Sequence, residues 1–324
     1  MILSGDIGGT RTRLALHDSG GAPARFDRTL QNRDCPDFDT ALARFLDAAG
    51  RPPVTAAAFA VAGPVLDGHV QLTNLGWVLD EAALGTRLGG ARVRLLNDLE
   101  AAAHGVLELP RGDLRVLAGG ESAPHGNLAV IGAGTGLGEA LLTWAEGRPL
   151  AIASEGGHAD FAPHDATEIA LLQWIGRTRE HVSWEHVVSG PGLARLYEFL
   201  RDTGRADEPA SLRERIATAV EPAVVISQAG VAEEFPICVQ ALEMFVRAYG
   251  AEAGNLALTG MALGGVYVTG GIAPQVLDGR WREVFLRAFR AKGRYEGFMR
   301  RIAVRVVLRG HASLVGATAV AASA

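Results

Sequence analysis

A strand, a glycine-rich turn and a second strand occur twice in this chain, and this repeat constrains the fold most. The first copy covers residues 2–16 with its turn at 8–10, and the second covers 128–144 with its turn at 132–138. The two copies align at an offset of 126 residues. An internal repeat of this kind predicts two subdomains built on one plan and facing one cleft.

Between and after the repeats, strand patterns alternate with helical ones. After a polar connection at 18–28, the spacing of apolar residues predicts a helix at 38–49 and strands at 55–62 and 69–73. An alanine-rich segment from His311 onward predicts a final helix that packs on the N-terminal domain. This alternation favours an α/β layer architecture, and 324 residues are enough for about two domains.

The composition excludes several classes of partner. The net charge is −5 and no basic tract occurs, so the electrostatic footprint of a nucleic-acid-binding protein is missing. Cys35 and Cys238 fit neither a disulfide framework nor a CxxC metal site, and we expect a reducing cytoplasm and no signal peptide. The longest uncharged window, 253–277, contains six glycines and a proline. It favours a buried helix, a strand and a turn over a membrane span.

Two common nucleotide-binding motifs are excluded. Lys292 is the only lysine, and it lies in Ala-Lys-Gly-Arg and not in a P-loop sequence. In the turn at 132–138, Leu137 occupies the position of the third glycine in a dinucleotide-binding fingerprint, and a strand pattern follows instead of a helix. A phosphate site in this chain must therefore be built from backbone amides, hydroxyl groups and metal.

The segment 93–100 contains an apolar run that ends in Asn97-Asp98 directly before a helical pattern. Asp98 is our candidate catalytic base, because the segment lies between the two glycine-rich turns and an acidic and histidine cluster follows the second turn. A purely structural interpretation is also open. Asn97 and Glu100 have the spacing of a capping box, in which both residues serve only to begin the helix.

The acidic and histidine cluster contains Glu155 and His158. These two side chains have the spacing of metal ligands on a helix, but Gly156-Gly157 between them predicts a loop. Hydrogen bonding to a polar ligand fits this loop better than metal coordination.

Two further segments carry candidate residues. Glu185 follows Ser183, which is placed to cap a helix at 184–188, and Glu185 on this evidence is a solvated acid in the first helical turn. Later, a strand at 266–269 enters Gly270-Gly271 and then a helix, so that a helix N-terminus points to the end of the strand.

Taken together and in order, five motifs resemble those of the bacterial glucokinase family, within the hexokinase and actin-like ATPase superfamily. Each motif alone is weak evidence, but the match covers nearly the whole chain. The motifs are Asp6-Ile7-Gly8-Gly9-Thr10, Leu96-Asn97-Asp98, the turn at 132–138, Glu155-Gly156-Gly157-His158 and Thr269-Gly270-Gly271-Ile272.

The resemblance implies a fold, a reaction and an assembly. The expected fold is two ribonuclease-H-like α/β domains on either side of a cleft, a small one of residues 1–108 plus about 305–324 and a large one of 109–304. The expected reaction is phosphorylation of the glucose 6-hydroxyl by Mg-ATP in glycolysis. The expected assembly is a cytoplasmic homodimer.

The resemblance also implies roles for individual residues. Asp98 is expected to be the base at the sugar 6-hydroxyl, and Asp6 is expected to face Mg²⁺, through water, and the phosphates. The residues expected to bind sugar hydroxyls are Asn97, Asp98, Glu155, His158 and Glu185. Those expected near the nucleotide are Asp6, Ile7, Gly8, Gly9, Thr10, Arg11, Gly134, Thr135, Gly136, Gly270 and Gly271.

The chain departs from the family pattern at three points. Relatives often have asparagine where this chain has Arg11, and some have an apolar residue where it has Glu139. The cysteine-rich zinc motif of the related ROK kinases and repressors is absent, which places the chain in the branch without zinc.

Several alternatives stay open at this stage. The chain fits a related hexose or amino-sugar kinase, a sugar-sensing protein of the same fold without turnover, or an actin-like ATPase whose partner is a protein. The phosphoryl donor is also open among ATP, ADP and polyphosphate.

Overall fold

The structure is a computed structural model that describes residues 1–72, 74–120 and 123–323. Thr73, the predicted end of one strand, and Ala324, in the last predicted domain segment, lie outside the described residues. The chain divides into two compact units. Unit 1 comprises Met1–Asp113, Ala140–Ala153 and Arg309–Ala324, and unit 2 comprises Leu114–Glu139 and Ser154–Leu308.

Strands and helices alternate along the chain, which confirms the predicted α/β class. The strands are β1 Ile2–Ile7, β2 Arg11–His17, β3 Ala24–Gln31, β4 Ala56–Val61, β5 His69–Leu72, β6 Trp77–Asp80, β7 Arg92–Asn97, β8 Leu114–Ala118, β9 Leu128–Ala133, β10 Leu137–Ala145, β11 Arg148–Ser154, β12 Gly265–Thr269 and β13 Val304–Val307. The α-helices are α1 Phe38–Ala48, α2 Glu81–Arg87, α3 Asp98–Gly105, α4 Ala166–Ile175, α5 Gly190–Asp202, α6 Ala210–Ala217, α7 Pro222–Val231, α8 Pro236–Thr259, α9 Ala273–Val276, α10 Gly279–Arg290, α11 Glu296–Arg301 and α12 Ala312–Ser323.

Unit 1 is organised around a five-stranded sheet of order β3-β2-β1-β4-β7. β1 pairs antiparallel with β2 and parallel with β4, which in turn pairs parallel with β7. All six residues of β4 are buried, because both faces of this central strand are covered. The aromatic and branched side chains of one core cluster include Phe38, Phe45 and Phe59, whereas a second cluster is mostly alanine.

The alanine-rich cluster brings α12 close to α3 and to the sheet. A Cβ atom added to Gly105 would collide with the carbonyl oxygen of Ala312, and one added to Gly316 would collide with that of Ala101. Small residues therefore let the two helix backbones approach each other closely. The predicted final helix and its packing on the N-terminal unit are confirmed.

Unit 2 repeats the plan of unit 1. The strand order includes β9-β12-β13-β8, and β12 pairs parallel with both β9 and β13. An offset of 126 residues maps β1 onto β9 and the start of β2 onto the start of β10. The parallel series β9-β12-β13 thus corresponds to β1-β4-β7, which confirms the predicted internal repeat.

The window 253–277 contains the end of α8, the strand β12 and the turn after it, as predicted. α8 is 24 residues long and is largely buried in the core of unit 2. Within the described part of the chain, no single helix has the length and apolar character to cross a membrane, although α7 and α8, bent by 98°, pass that test as a pair.

Two local predictions were wrong. The polar connection expected at 18–28 contains the start of β3, which pairs antiparallel with β2 at the edge of the sheet. The helix expected at 184–188 is absent, because this segment forms turns and the next helix, α5, begins at Gly190.

Candidate active site

In unit 1, the first glycine turn and Asp98 lie at the same edge of the sheet. Ile7 at the end of β1 is paired with Val61, and Val61 is paired with Asn97 at the end of β7. The turn after β1 and Asp98 after β7 are therefore two strand spacings apart, about 10 Å. The carboxyl ends of parallel strands are where open α/β sheets bind ligands.

Asp6 is the last polar residue of β1 and is half-buried. Burial raises the pKa of its carboxyl group to about 6, while the positive charge of Arg13, its partner across the strand pair, acts in the opposite direction. A carboxylate that has lost part of its hydration gains more than an exposed one from a nearby cation.

The turn that follows exposes its backbone. Gly9 and Thr10 are exposed, and a Cβ atom added to Gly9 would meet no atom within 4 Å. Arg11 is also exposed, whereas the side chain of Ile7 is buried in the core and leaves only its backbone for a ligand. This arrangement suits an anion that contacts amide groups.

Asn32 holds this turn in place, and the sequence analysis did not identify it. Its Oδ1 accepts a hydrogen bond from Thr12 Oγ1 at 2.8 Å, and its Nδ2 donates to the carbonyl oxygen of Gly8 at 2.7 Å. Its backbone N–H donates to the carbonyl oxygen of Thr10 at 3.0 Å. Asn32 is 3% exposed, so these hydrogen bonds are shielded from water. The rarity of asparagine, at five positions, was the only sequence signal for it.

Asn97, and not Asp98, is the N-cap of α3. The Oδ1 atom of Asn97 accepts from the N–H groups of Leu99 and Glu100, and the Glu100 side chain accepts from the Asn97 N–H at 3.2 Å. The predicted capping box is therefore present. Asp98 is the first helical residue, and its Oδ1 lies 2.8 Å from the N–H of Leu99. The positive end of the helix dipole favours negative charge at this position.

In unit 2, two glycine turns again share one sheet edge. Thr269 at the end of β12 is paired with Gly132, so the turn at 134–136 lies beside Gly270-Gly271. Gly270 has a φ of +86°, and a Cβ atom there would collide with the carbonyl oxygen of Ala133. Only glycine allows this close approach of the two turns.

A cavity of about 540 Å³ opens beside these turns. Its size is typical of a small-molecule site, and its lining is mostly apolar. Most of the lining could not be predicted from the sequence, because its residues come from distant segments. They are Gly134, Thr135, Gly190, Pro191, Leu193, Ala194, Val220, Glu221, Pro222, Ala223, Val224, Ser227, Gly271, Ile272, Gln275 and Val276.

Glu185 joins the second glycine turn to the loop that contains Glu155 and His158. Its Oε2 accepts from the N–H of Leu137 at 3.0 Å, and its own N–H donates to the carbonyl oxygen of Gly157 at 2.8 Å. The prediction of a solvated acid in a helical turn was wrong, because these hydrogen bonds fix Glu185 in a non-helical turn.

The loop itself presents two polar side chains to solvent. The side chains of Glu155 and His158 are 56% and 58% exposed, with 3.9 Å between Oε2 and Nε2. Residues 156–158 of this loop form one turn of 3-10 helix, and a Cβ atom on Gly157 would collide with the carbonyl oxygen of Leu137, so this turn depends on glycine. In residues 1–72, 74–120 and 123–323, no group of three or more His, Cys, Asp or Glu side chains could hold a metal ion.

The family model described as Glucokinase matches residues 3–324. The chain belongs to the glucokinase family. The sequence interpretation as a glucokinase, an enzyme that transfers a phosphoryl group to glucose, is confirmed.

Glucokinase relatives match over nearly their full length. The glucokinase of Synechocystis sp. is 40% identical, with 99% of this chain and 98% of the relative covered. The crystal structure of a glucokinase from an Antarctic psychrotroph is 30% identical, covers 100% of this chain and 99% of its own, and superposes with a TM-score of 0.87. A ROK family glucokinase from Streptomyces griseus, solved in complex with glucose and AMPPNP, is 23% identical and superposes with a TM-score of 0.68. The match covers 100% of this chain and 99% of that structure. This similarity is one of fold alone.

Proposed function

We propose that Asp98 is the general base of this glucokinase and that Asn97, Glu155, His158 and Glu185 bind the glucose hydroxyls. The observation that carries the proposal is the capping box of α3. Because Asn97 and Glu100 satisfy the first N–H groups of the helix, the helix does not require Asp98 as its cap. A carboxylate at the carboxyl edge of the sheet is placed for work on a ligand.

The reaction has one proton transfer and one phosphoryl transfer. The 6-hydroxyl oxygen of glucose attacks the γ-phosphorus of ATP, and its proton passes to the carboxylate of Asp98. The bond from the γ-phosphorus to the bridging oxygen breaks, and ADP leaves with the bonding electrons. Positioning and charge stabilisation supply most of the catalysis in reactions of this type, which suits a site of backbone amides and few ionised groups.

The nucleotide is proposed to bind with its phosphates at the glycine turns of 8–10 and 134–136. The apolar cavity beside Gly271 supports a site for the adenosine, since its volume is typical of small-molecule sites. ATP is the proposed donor. Replacing ATP with ADP or polyphosphate in the assay should abolish product formation.

The proposed Mg²⁺ site is at Asp6. Mg²⁺ usually takes one or two carboxylates, with water and phosphate as its other ligands, and a single half-buried carboxylate fits that pattern. When bound, Mg²⁺ neutralises charge on the transferred phosphoryl group. The chain's own contribution would be Asp6, whose carboxylate would hold the hydrated ion, and Arg13, whose charge helps to keep Asp6 ionised.

A coupled assay of ADP release across a panel of sugars tests the proposed function. Glucose should give the highest kcat/KM among glucose, mannose, fructose and glucosamine, and ATP hydrolysis without sugar should be slow. ADP release that no sugar stimulates would support the actin-like ATPase alternative instead. Sugar binding without ADP release would support a sensor.

The proposed assembly is a cytoplasmic homodimer, which the family resemblance supports. Sedimentation at micromolar concentration should give twice the mass of 34.0 kDa. A species with the mass of a single chain would exclude the homodimer.

Asn32→Asp provides a test of the first glycine turn. The change replaces the Nδ2 donor with an acceptor, so the carbonyl oxygen of Gly8 loses its partner. We expect a loss of about 1–3 kcal/mol in stability, because a buried hydrogen bond is broken. The KM for ATP should also rise several-fold, since the turn is no longer held.

Asn127→Asp is the matched control. Asn127 also donates from Nδ2 to a carbonyl oxygen, that of Gly260 at 2.8 Å, but it lies outside both phosphate turns. Thermal unfolding and ATP saturation curves should show destabilisation in both variants and a raised KM only in Asn32→Asp. An unchanged KM in Asn32→Asp would show that the turn does not bind phosphate.

A further inference from the structure

Two buried glutamates face each other beneath the loop of Glu155 and His158. Glu139 on β10 is 2% exposed and Glu252 on α8 is 6% exposed, and a hydrogen bond joins their side chains. The Oε1 atom of Glu139 has no hydrogen-bond partner among the described residues. Two carboxyl groups joined by a hydrogen bond cannot both be ionised, because one of them must carry the proton that the other accepts.

The surroundings supply one positive charge for two acids. Glu252 accepts from Asn255 Nδ2 at 2.8 Å, and the Oδ1 of Asn255 is 2.5 Å from Nζ of Lys292. Lys292, the only lysine of the chain, also donates to the carbonyl oxygen of Ala251 at 2.9 Å. The hydroxyl group of Tyr249 is a further ionisable group close enough to Glu139 to feel its charge. A single cation can balance one carboxylate, so the second is neutral.

The direction of the pKa shifts agrees with this geometry. Burial, followed by the charge of Glu252, raises the pKa of Glu139 well above its ordinary value. Burial also raises the pKa of Glu252, while Asn255 and Lys292 act in the opposite direction. Burial lowers the pKa of Lys292, and the charge of Glu252 opposes that shift.

The pair lies directly against the loop. A Cβ atom added to Gly156 would collide with Oε2 of Glu139, and it would lie 3.0 Å from Oγ of Ser154. Ser154 Oγ in turn accepts from the N–H of Gly156 at 2.9 Å. Glu139 therefore packs directly against Gly156. Gly156 in turn lies between the two residues whose side chains are exposed, Glu155 and His158.

We propose that Glu139 and Glu252 share one proton and that Glu139, in this neutral pair, is a positioning residue for the loop at 155–158. The sugar-binding consequence rests on the proposed function of Glu155 and His158. Loss of the shared proton places a second negative charge next to Gly156. Water must then enter to hydrate this charge. The loop is displaced, and affinity for glucose falls.

Because the pair holds a proton that can be lost, the position of the loop and the affinity for glucose depend on pH. The unfolded chain releases its carboxyl protons near the ordinary pKa of 4.5, whereas the folded pKa of Glu139 is raised to about 8. The stability that the shared proton contributes is therefore complete below about pH 4.5, and it falls progressively as pH rises from there to about 8. If glucose binds only the protonated form, the KM for glucose should rise at alkaline pH, approaching tenfold for each pH unit once the shared proton is lost.

Three variants test the proposal. Glu139→Gln keeps a neutral hydrogen-bonding group, so it should retain the glucose KM of the wild type at pH 7 and abolish the rise between pH 8 and 9. Glu139→Leu removes the hydrogen bond and should raise the glucose KM about two- to tenfold at pH 7. Glu252→Gln also removes the need for a shared proton and should flatten the pH dependence. In all three, the KM for ATP should change less than that for glucose.

Two measurements without any substrate separate this proposal from the proposed function. The loss of Tm between pH 5 and pH 8 should be smaller in Glu139→Gln and Glu252→Gln than in the wild type. Amide exchange at 156–159, corrected for intrinsic rates, should accelerate in the wild type from pH 7 to 9 and in Glu139→Leu at pH 7. An equal loss of Tm over this pH range in all proteins would overturn the shared proton, and equal amide exchange would overturn the positioning role. A wild type that binds no sugar but passes both tests would refute the proposed function alone.

Discussion

Asp98→Asn should lower kcat by roughly 10²-fold or more, because a general base typically contributes 10²- to 10⁴-fold to the rate. The variant should keep its fold. Asn97 supplies the cap of α3, and an asparagine at position 98 can still accept a hydrogen bond from the N–H of Leu99. The KM for glucose should change little, since an amide also binds a hydroxyl group. Steady-state kinetics and thermal unfolding measure these effects.

Asp80→Asn is the control for this experiment. Asp80 is an acid at the start of another helix of unit 1, where it accepts from the N–H of Ala83 at 2.8 Å as the N-cap of α2. The same change of charge at a purely structural position should leave kcat within about twofold, because Asn and Asp cap equally well. If Asp98→Asn turns over as fast as Asp80→Asn, Asp98 is not the base.

The elements that could be predicted from sequence are those with one strong local signal. The strands β4 and β9 are apolar runs in which every residue is buried, since both faces of a central parallel strand are covered. β3 was missed because it lies at the sheet edge with most residues exposed, so its sequence, Ala-Arg-Phe-Asp-Arg-Thr-Leu-Gln, shows no apolar run. Its pairing with β2, not its composition, makes it a strand.

Tertiary hydrogen bonds explain why the helix predicted at 184–188 does not form. Ser183 resembles a helix cap in sequence, but its N–H donates to Nδ1 of His186 at 3.0 Å. The N–H groups of Trp184 and Glu185 donate to the carbonyl oxygens of Ala159 and Gly157. A local pattern cannot reveal partners that lie more than 20 residues away in the chain, as these do.

The same limit applies to the candidate site. Short motifs predicted Asp6, Asp98, Glu155 and His158, because each lies in or beside a glycine turn or a helix start. The residues that support the site were not predictable in this way. Asn32 reaches the first turn from beyond β3, and Glu252 reaches Glu139 from the middle of a helix with no motif. Burial and the order of the strands bring these groups together.

The second large effect is expected for Asp6→Asn, which keeps the shape of the side chain and removes its charge. We expect kcat to fall by roughly 10- to 100-fold, the usual loss when a group that orients the ligands of a metal ion is removed. Glucose affinity, measured by tryptophan fluorescence without nucleotide, should stay within about twofold, because Asp6 is proposed to act on Mg²⁺ and phosphate alone. Equal losses in glucose binding and turnover would indicate a structural role.

The pH profile gives a sharper test of Asp6. Because burial raises the pKa of this carboxyl group to about 6, it is protonated and neutral below that pH in the free enzyme, and wild-type kcat/KM for ATP should fall there. Mg²⁺ competes with the proton, so a higher Mg²⁺ concentration should move the acidic limb to lower pH. Asp6→Asn should lack this fall in kcat/KM at acidic pH.

Asp27→Asn is the control for the pH profile. The change removes the salt-bridge partner of Arg13 at 2.9 Å without touching the proposed metal site, so this variant should retain the acidic limb. An acidic limb that is unchanged in Asp6→Asn, or that does not respond to Mg²⁺, would assign it to another group and exclude Asp6 as the residue that faces the metal.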